Sequence, residues 1–174
     1  MPKVNLEKII KYGIYLTAFI PLVIFSEFMS PFHFGKVLVF RTLVEILAVF
    51  YVVLLLSRGK SFLPPRTPLF WAVTIFTLVF GLTTFTSINF YQSFFGTLER
   101  MGGWFSFLHF WLFFAVATAL LRKKEDWLTF IKISLAVSLL SAFYGFLQKT
   151  DLQWVIGSGG RSKIFGTIGN PALF

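Results

Sequence analysis

The chain has 174 residues, of which 56% are hydrophobic and only 13% are charged, and its formal net charge is +9. A soluble domain carries roughly a quarter charged residues, and here the apolar residues fall into long runs, so an ordinary globular domain is excluded. Cysteine is absent, which excludes disulfides, thiolate metal sites and cysteine nucleophiles, and two histidines, His33 and His109, set no metal-ligand spacing.

Five runs have the length and apolarity of bilayer-spanning helices: Tyr12–Phe28, Val37–Leu56, Leu69–Ile88, Trp104–Leu121 and Trp127–Leu147. A hydrocarbon core of ~30 Å needs about 20 residues at 1.5 Å each. The runs are too long for barrel strands and do not alternate, so the fold class is an all-α membrane protein. The first run has a basic lead but no small-x-small cleavage site after it, which reads as an uncleaved anchor, and Pro21 bends it.

The connections are polar. Ser57–Pro68 holds Ser57, Arg58, Gly59, Lys60 and three prolines, Phe90–Gly103 is a longer loop, and Arg122–Asp126 is a charged turn. Trp104, Trp127 and Trp154 stand at run ends, where indole favours the headgroup interface. Lysine and arginine set the sidedness. The N-terminal segment, the Ser57–Pro68 loop and the Arg122–Asp126 turn lie on one side and hold nine basic residues. The first and third connections hold Lys36 and Arg100 on the other. The richer side is cytoplasmic, so the N-terminus is cytoplasmic and the tail, with Lys149, Arg161 and Lys163, faces outward. The basic balance thus reads as topology, with no nucleic-acid partner. Residues 1–153 form the transmembrane region and residues 154–174 an outward loop.

Charged residues inside the spans need a reason. Arg41 and Glu45 lie four residues apart on one face of the second run. They form an internal ion pair, or Arg41 snorkels outward, or Arg41 faces an anionic headgroup. Lys132 reads as a snorkelling lysine, and His109 as an interhelical hydrogen-bonder. Two outward stretches combine an arginine with several glycines: Gly96-Thr97-Leu98-Glu99-Arg100-Met101-Gly102-Gly103, and Arg161 followed by Phe165-Gly166-Thr167-Ile168-Gly169-Asn170-Pro171. Glycine lets backbone approach closely, and arginine offers planar donors suited to phosphate oxygens. Ordinary outer loops whose arginines meet lipid headgroups would have the same composition. The second stretch lacks the pattern of a nucleotide-binding loop.

At these two stretches, and at Ser141-Ala142-Phe143-Tyr144-Gly145-Phe146-Leu147-Gln148 between them, the chain resembles the O-antigen ligase and O-antigen polymerase family of bacterial membrane glycosyltransferases. The resemblance covers essentially the whole chain and rests on the order of the motifs and their place in the topology. It implies a multi-pass protein of the bacterial inner (cytoplasmic) membrane that transfers or polymerises glycan on the outer face. The donor is glycan on a polyprenyl-diphosphate carrier and the acceptor is a glycan or lipid, with no cofactor and no metal. Outer-face arginines would hold the diphosphate: Arg161 first, Arg100 second, and Arg41 by its depth and side alone. Gly96, Gly102, Gly103, Gly166, Gly169, Asn170 and Pro171 would shape the loops. The family's later loop, with its histidine general base, has no counterpart here, so no catalytic residue is assigned. Five spans with an open tail read as the N-terminal portion of a larger bundle. A transporter or flippase segment and a non-catalytic membrane scaffold are the competing functions.

Overall fold

The computed structural model describes residues 5–25, 32–98, 100–150, 164 and 166–168. Among them are six α-helices and no strand: α1 (Leu6–Thr17), α2 (Phe34–Arg58), α3 (Pro68–Phe85), α4 (Phe90–Phe95), α5 (Trp104–Leu120) and α6 (Lys124–Leu147). Three of them, α2, α3 and α6, are long and apolar enough to cross a membrane, and α5 is a shorter apolar helix of 17 residues. Together they point to a chain that crosses a membrane more than once.

The expected first span, Tyr12–Phe28, differs most. The helix begins earlier, at Leu6, where the Asn5 side chain caps the Lys8 N–H at 3.4 Å, and it ends at Thr17. A single 3₁₀ turn, Ile20–Leu22, follows with Pro21 inside it. Proline has no N–H for an α-helical bond and crowds the preceding turn, so the helix stops before it. At 12 residues, α1 is only about 18 Å long, short of the hydrocarbon core. Residues 26–28 lie outside the described residues. The second run lengthens to Phe34–Arg58, the third ends at Phe85, and the fifth starts at Lys124. There Asp126 turns back to accept from the Lys123 N–H at 3.4 Å. The expected Phe90–Gly103 loop contains the short helix α4, capped by Asn89, whose side chain accepts from Gln92 N–H at 3.1 Å.

Helix α2 packs against α1 and α5, and α5 packs against α3 and α4. Ile10 and Ile14 of α1, Leu47 and Leu54 of α2 and Val116 and Leu120 of α5 form the core. Gly13 lies against Leu47, and Gly81 lies against the Trp104 indole, so small residues set both helix approaches. Trp104 Nε1 donates to the Thr77 carbonyl at 2.9 Å and Trp111 Nε1 to the Thr74 hydroxyl at 3.0 Å. The Trp104 ring is therefore committed to the α3–α5 seam. The hydroxyls of Thr74, Thr77, Thr84, Thr118, Ser134 and Ser138 donate to carbonyls four residues back, so each of these six is satisfied within its own helix.

Contacts also sort the connections by end. At one end Lys11 pairs with Asp126 at 3.0 Å and with Glu7 at 3.5 Å. Burial pulls the Lys11 ammonium down, but the hydrogen bond and charge of Asp126 and the charge of Glu7 outweigh it and leave the group above its usual range. Arg122 donates to the Leu63 carbonyl at 3.1 Å and stacks over Phe62, so the Ser57–Pro68 loop and the Arg122 turn share that end. The start of α2, the 96–103 loop and residues 166–168 meet at the opposite end.

A β-carbon at Gly81 would stand 2.6 Å from the Trp104 ring. Gly81→Val is therefore expected to destabilise the protein by about 1–3 kcal/mol through overpacking. Thermal unfolding in detergent, with the Trp104→Ala background as control, measures it; the valine should cost far less in that background.

Candidate functional site

The site is built on the first two turns of α2. Arg41 stands about 10 Å into the helix and is only 9% exposed. A guanidinium at that depth must find partners. Nη2 donates to the Met101 carbonyl at 3.1 Å and to the Ser106 hydroxyl at 2.5 Å, Nη1 lies 3.6 Å from the Met101 sulfur, and the plane sits 4.8 Å from the Phe105 ring centre. Ser106 also donates to the Met101 carbonyl. Arg41 Nε is buried with no hydrogen-bond partner among the described residues.

Of the readings open for Arg41, the internal ion pair with Glu45 does not form. Each side chain reaches α5 instead, because Ser106 and His109, three residues apart, face the same stripe of α2. Glu45 Oε1 lies 3.0 Å from His109 Nε2, and His109 Nδ1 lies 2.7 Å from the Phe105 carbonyl. Both ring nitrogens are engaged, Nδ1 with a carbonyl of its own helix and Nε2 with Glu45 across the seam. His109 is thus an interhelical hydrogen-bonder, and α2 and α5 are joined by two polar rungs. Lys132 is exposed.

Arg41 also holds the 96–103 loop. Thr97 accepts from Met101 N–H at 2.7 Å and from Arg100 N–H at 3.2 Å, which folds a turn with Arg100 exposed at its outside. Met101 has φ 48°, a left-handed conformation that costs a non-glycine residue on the order of 1 kcal/mol. Its carbonyl is turned onto Arg41 and Ser106, which fixes it there. Gly96 has φ 81°, and its absent side chain would collide with the backbone of Gly102 and Gly103. Gly103 in turn lies against the Gly96 and Phe94 backbone. These two glycines let backbone approach backbone and close the loop, whereas Gly102 faces open space.

The second stretch docks on the same end of α2. Lys36 Nζ donates to the Thr167 carbonyl. The Thr167 and Ser141 hydroxyls lie 2.5 Å apart, and the Gln148 amide brackets the Gly166 peptide, accepting from its N–H at 2.8 Å. Gly166 has φ 54°, the left-handed region. Thr167 and Gln148 are each 2% exposed. Arg161, Gly169, Asn170 and Pro171 lie outside the described residues. Beside this end of α2, between the end of α1 and α5, a cavity of about 300 Å³ is lined by Thr17, Pro21, Lys36, Phe40, Arg41 and Ser106. Two cations in an otherwise apolar cleft suit an anionic group beside hydrocarbon. Among the described residues no cluster of histidine and carboxylate is arranged to hold a metal ion.

The geometry therefore unites Arg41 with the Arg100 loop and unites Gly166 with Ser141 and Gln148. Lys36, Met101 and Ser106 were not singled out for the site from sequence. The spacing of Lys36 and Arg41 at the start of one helix was the available signal for the first. For Met101 and Ser106 there was none, since their roles arise from contacts with a residue more than sixty positions away. Comparison with protein-family models, curated proteins and solved structures found no match to this chain.

Arg41→Gln leaves the Met101 carbonyl and Ser106 without their cationic donor. A hydrogen bond to a charged group contributes about 1.5–3 kcal/mol. Amide hydrogen exchange across residues 96–103 is expected to accelerate roughly 10- to 100-fold in that variant, while exchange in α6 stays unchanged.

Proposed function

We propose that the chain is part of a bacterial inner-membrane glycosyltransferase, similar to O-antigen ligases and polymerases, which handles glycan on a polyprenyl-diphosphate carrier at the outer face. One observation carries the reading. The two stretches that bear the resemblance, 96–103 and 166–167, are far apart in sequence, yet both are held by cations on the first two turns of α2, through Arg41 and Lys36. An assembled, cation-bearing end of a helical bundle is what recognition of a lipid-linked diphosphate requires.

The chemistry follows from charge. When glycan leaves its carrier, the diphosphate gathers negative charge, and fixed guanidinium groups stabilise that charge. Arg100 is exposed on a turn held by Arg41, so it contacts the diphosphate directly. The resemblance assigns the same role to Arg161 of the second stretch. Arg41, engaged with Met101 and Ser106, positions the Arg100 turn and adds to the positive field of the cleft. The outer face follows from the basic residues concentrated at the opposite end of the bundle.

In the intact protein, Arg100→Ala and Arg161→Ala are each expected to lower glycan transfer roughly 10²- to 10³-fold with membrane abundance unchanged. Near-normal transfer by both would refute the site. A second measurement checks the face. Because the chain has no cysteine, single cysteines at Ser93 and Ser158 should react with an impermeant thiol reagent on intact cells, and one at Ser57 should not. The reverse pattern inverts the topology and removes the outer-face chemistry.

A further inference from the structure

Helix α2 has a second face that the polar rungs to α5 do not use. Leu38, Thr42, Glu45, Val49, Val52 and Leu56 are all exposed, and their spacing runs four, three, four, three, four. That is an unbroken heptad seam along almost the whole helix, the spacing with which left-handed helix pairs pack in water and in membranes. Its centre is polar. Glu45 lies within one residue of the midpoint of α2, and its side chain is 58% exposed although Oε1 contacts His109. Its other oxygen has no hydrogen-bond partner among the described residues. Neither has the Thr42 hydroxyl, whereas the hydroxyls of Thr74, Thr77, Thr84 and Thr118 all bond back to their own helices.

Lipid cannot satisfy this face. An acidic group presented to hydrocarbon at mid-helix costs about 2.5–3.5 kcal/mol on insertion scales. A partner helix can satisfy it, and the seam supplies both halves of the bond: a donor at Thr42 and an acceptor at Glu45, one turn apart. A face with one donor and one acceptor side by side is complementary to itself. Two copies inserted with the same topology run parallel, and a two-fold axis along the membrane normal brings Thr42 of each beside Glu45 of the other. A foreign helix with a single donor would satisfy Glu45 and leave Thr42 bare.

We infer that α2 is a self-association surface, through which two copies of this protein pair in the membrane along the Leu38–Leu56 seam, with Thr42 and Glu45 bonded reciprocally across the two-fold. The inference rests on α2 crossing the bilayer, but not on the glycan chemistry.

The absence of cysteine makes the test direct. Single cysteines at Leu38, Val49, Val52 and Leu56, and control cysteines at the exposed Leu82 and Leu139, are oxidised in native membranes holding the full-length protein. Disulfide-linked dimers are expected at the seam positions and not at the controls. Thr42→Val removes the donor from both copies without touching the Glu45–His109 contact, so it should weaken dimerisation roughly 8- to 300-fold, the range two hydrogen bonds contribute between membrane helices. Glu45→Ala should weaken it at least as much, while Glu45→Gln, which still accepts from Thr42, should retain it. The absence of seam dimers, equal cross-linking at the controls, cross-links to a different protein alone, or insensitivity to both Thr42→Val and Glu45→Ala would each overturn the inference. Alkaline carbonate extraction is run on the same membranes. Release of the protein would overturn the bilayer reading and this proposal together, whereas retention without seam dimers would overturn the proposal alone.

Discussion

A guanidinium held inside an apolar bundle has to be surrounded by acceptors, and the candidate site follows from how Arg41 meets that demand. At 9% exposure it is largely withdrawn from solvent, so the protein supplies oxygen atoms. It brings the Met101 carbonyl and the Ser106 hydroxyl, both more than sixty residues away. To deliver that carbonyl, the 96–103 loop must fold tightly back on itself, and Met101 must adopt a left-handed conformation. The tight fold in turn needs no side chain at Gly96 and Gly103. Arg100 is left exposed on the resulting turn. One buried charge thus connects helix packing, backbone strain and the presentation of a second charge to solvent or ligand.

Lys36 applies the same logic one turn and a half earlier in α2. Its ammonium takes the Thr167 carbonyl, and Ser141 and Gln148 secure the other side of that segment. The beginning of α2 therefore works as a bracket for two distant loops. The cleft beside it, between the end of α1 and α5, is apolar in its walls and cationic at Lys36 and Arg41. Arg41 Nε is buried and has no hydrogen-bond partner among the described residues.

Much of the helical layout was legible in the sequence because apolar runs of this length have few alternatives in lipid. The centres of α2, α3, α5 and α6 fall within the expected runs, since hydropathy reports where a helix lies in the bilayer. Their ends are set by other physics. Proline stopped α1 well short of its apolar run, and Asn89 started a helix inside a segment that reads as a loop. Asn89 followed by Gln92 was a visible capping signal, masked by the phenylalanines around it. The pairing of Arg41 with Glu45 was suggested by a four-residue spacing, yet spacing along one helix says nothing of competing partners on another. Ser106 and His109 outcompete the internal pair because an interhelical bond also closes the α2–α5 seam. Glycines 96 and 103 carried a readable demand for close approach, but what approaches is backbone, which no local pattern distinguishes from a ligand. Arg161, Gly169, Asn170 and Pro171 lie outside the described residues.

The claim on which the functional reading turns is that this end of the bundle recognises a lipid-linked diphosphate. Its most direct test is photo-crosslinking with a polyprenyl diphosphate bearing a photoreactive group next to the phosphates, in membranes with the intact protein. Labelling should fall within residues 96–109 or at the start of α2, inorganic pyrophosphate should compete for it, and Arg100→Ala should abolish it. Labelling that an uncharged polyprenol displaces as well as pyrophosphate does, and that Arg100→Ala leaves intact, would show that only the hydrocarbon is being bound and would contradict the diphosphate site.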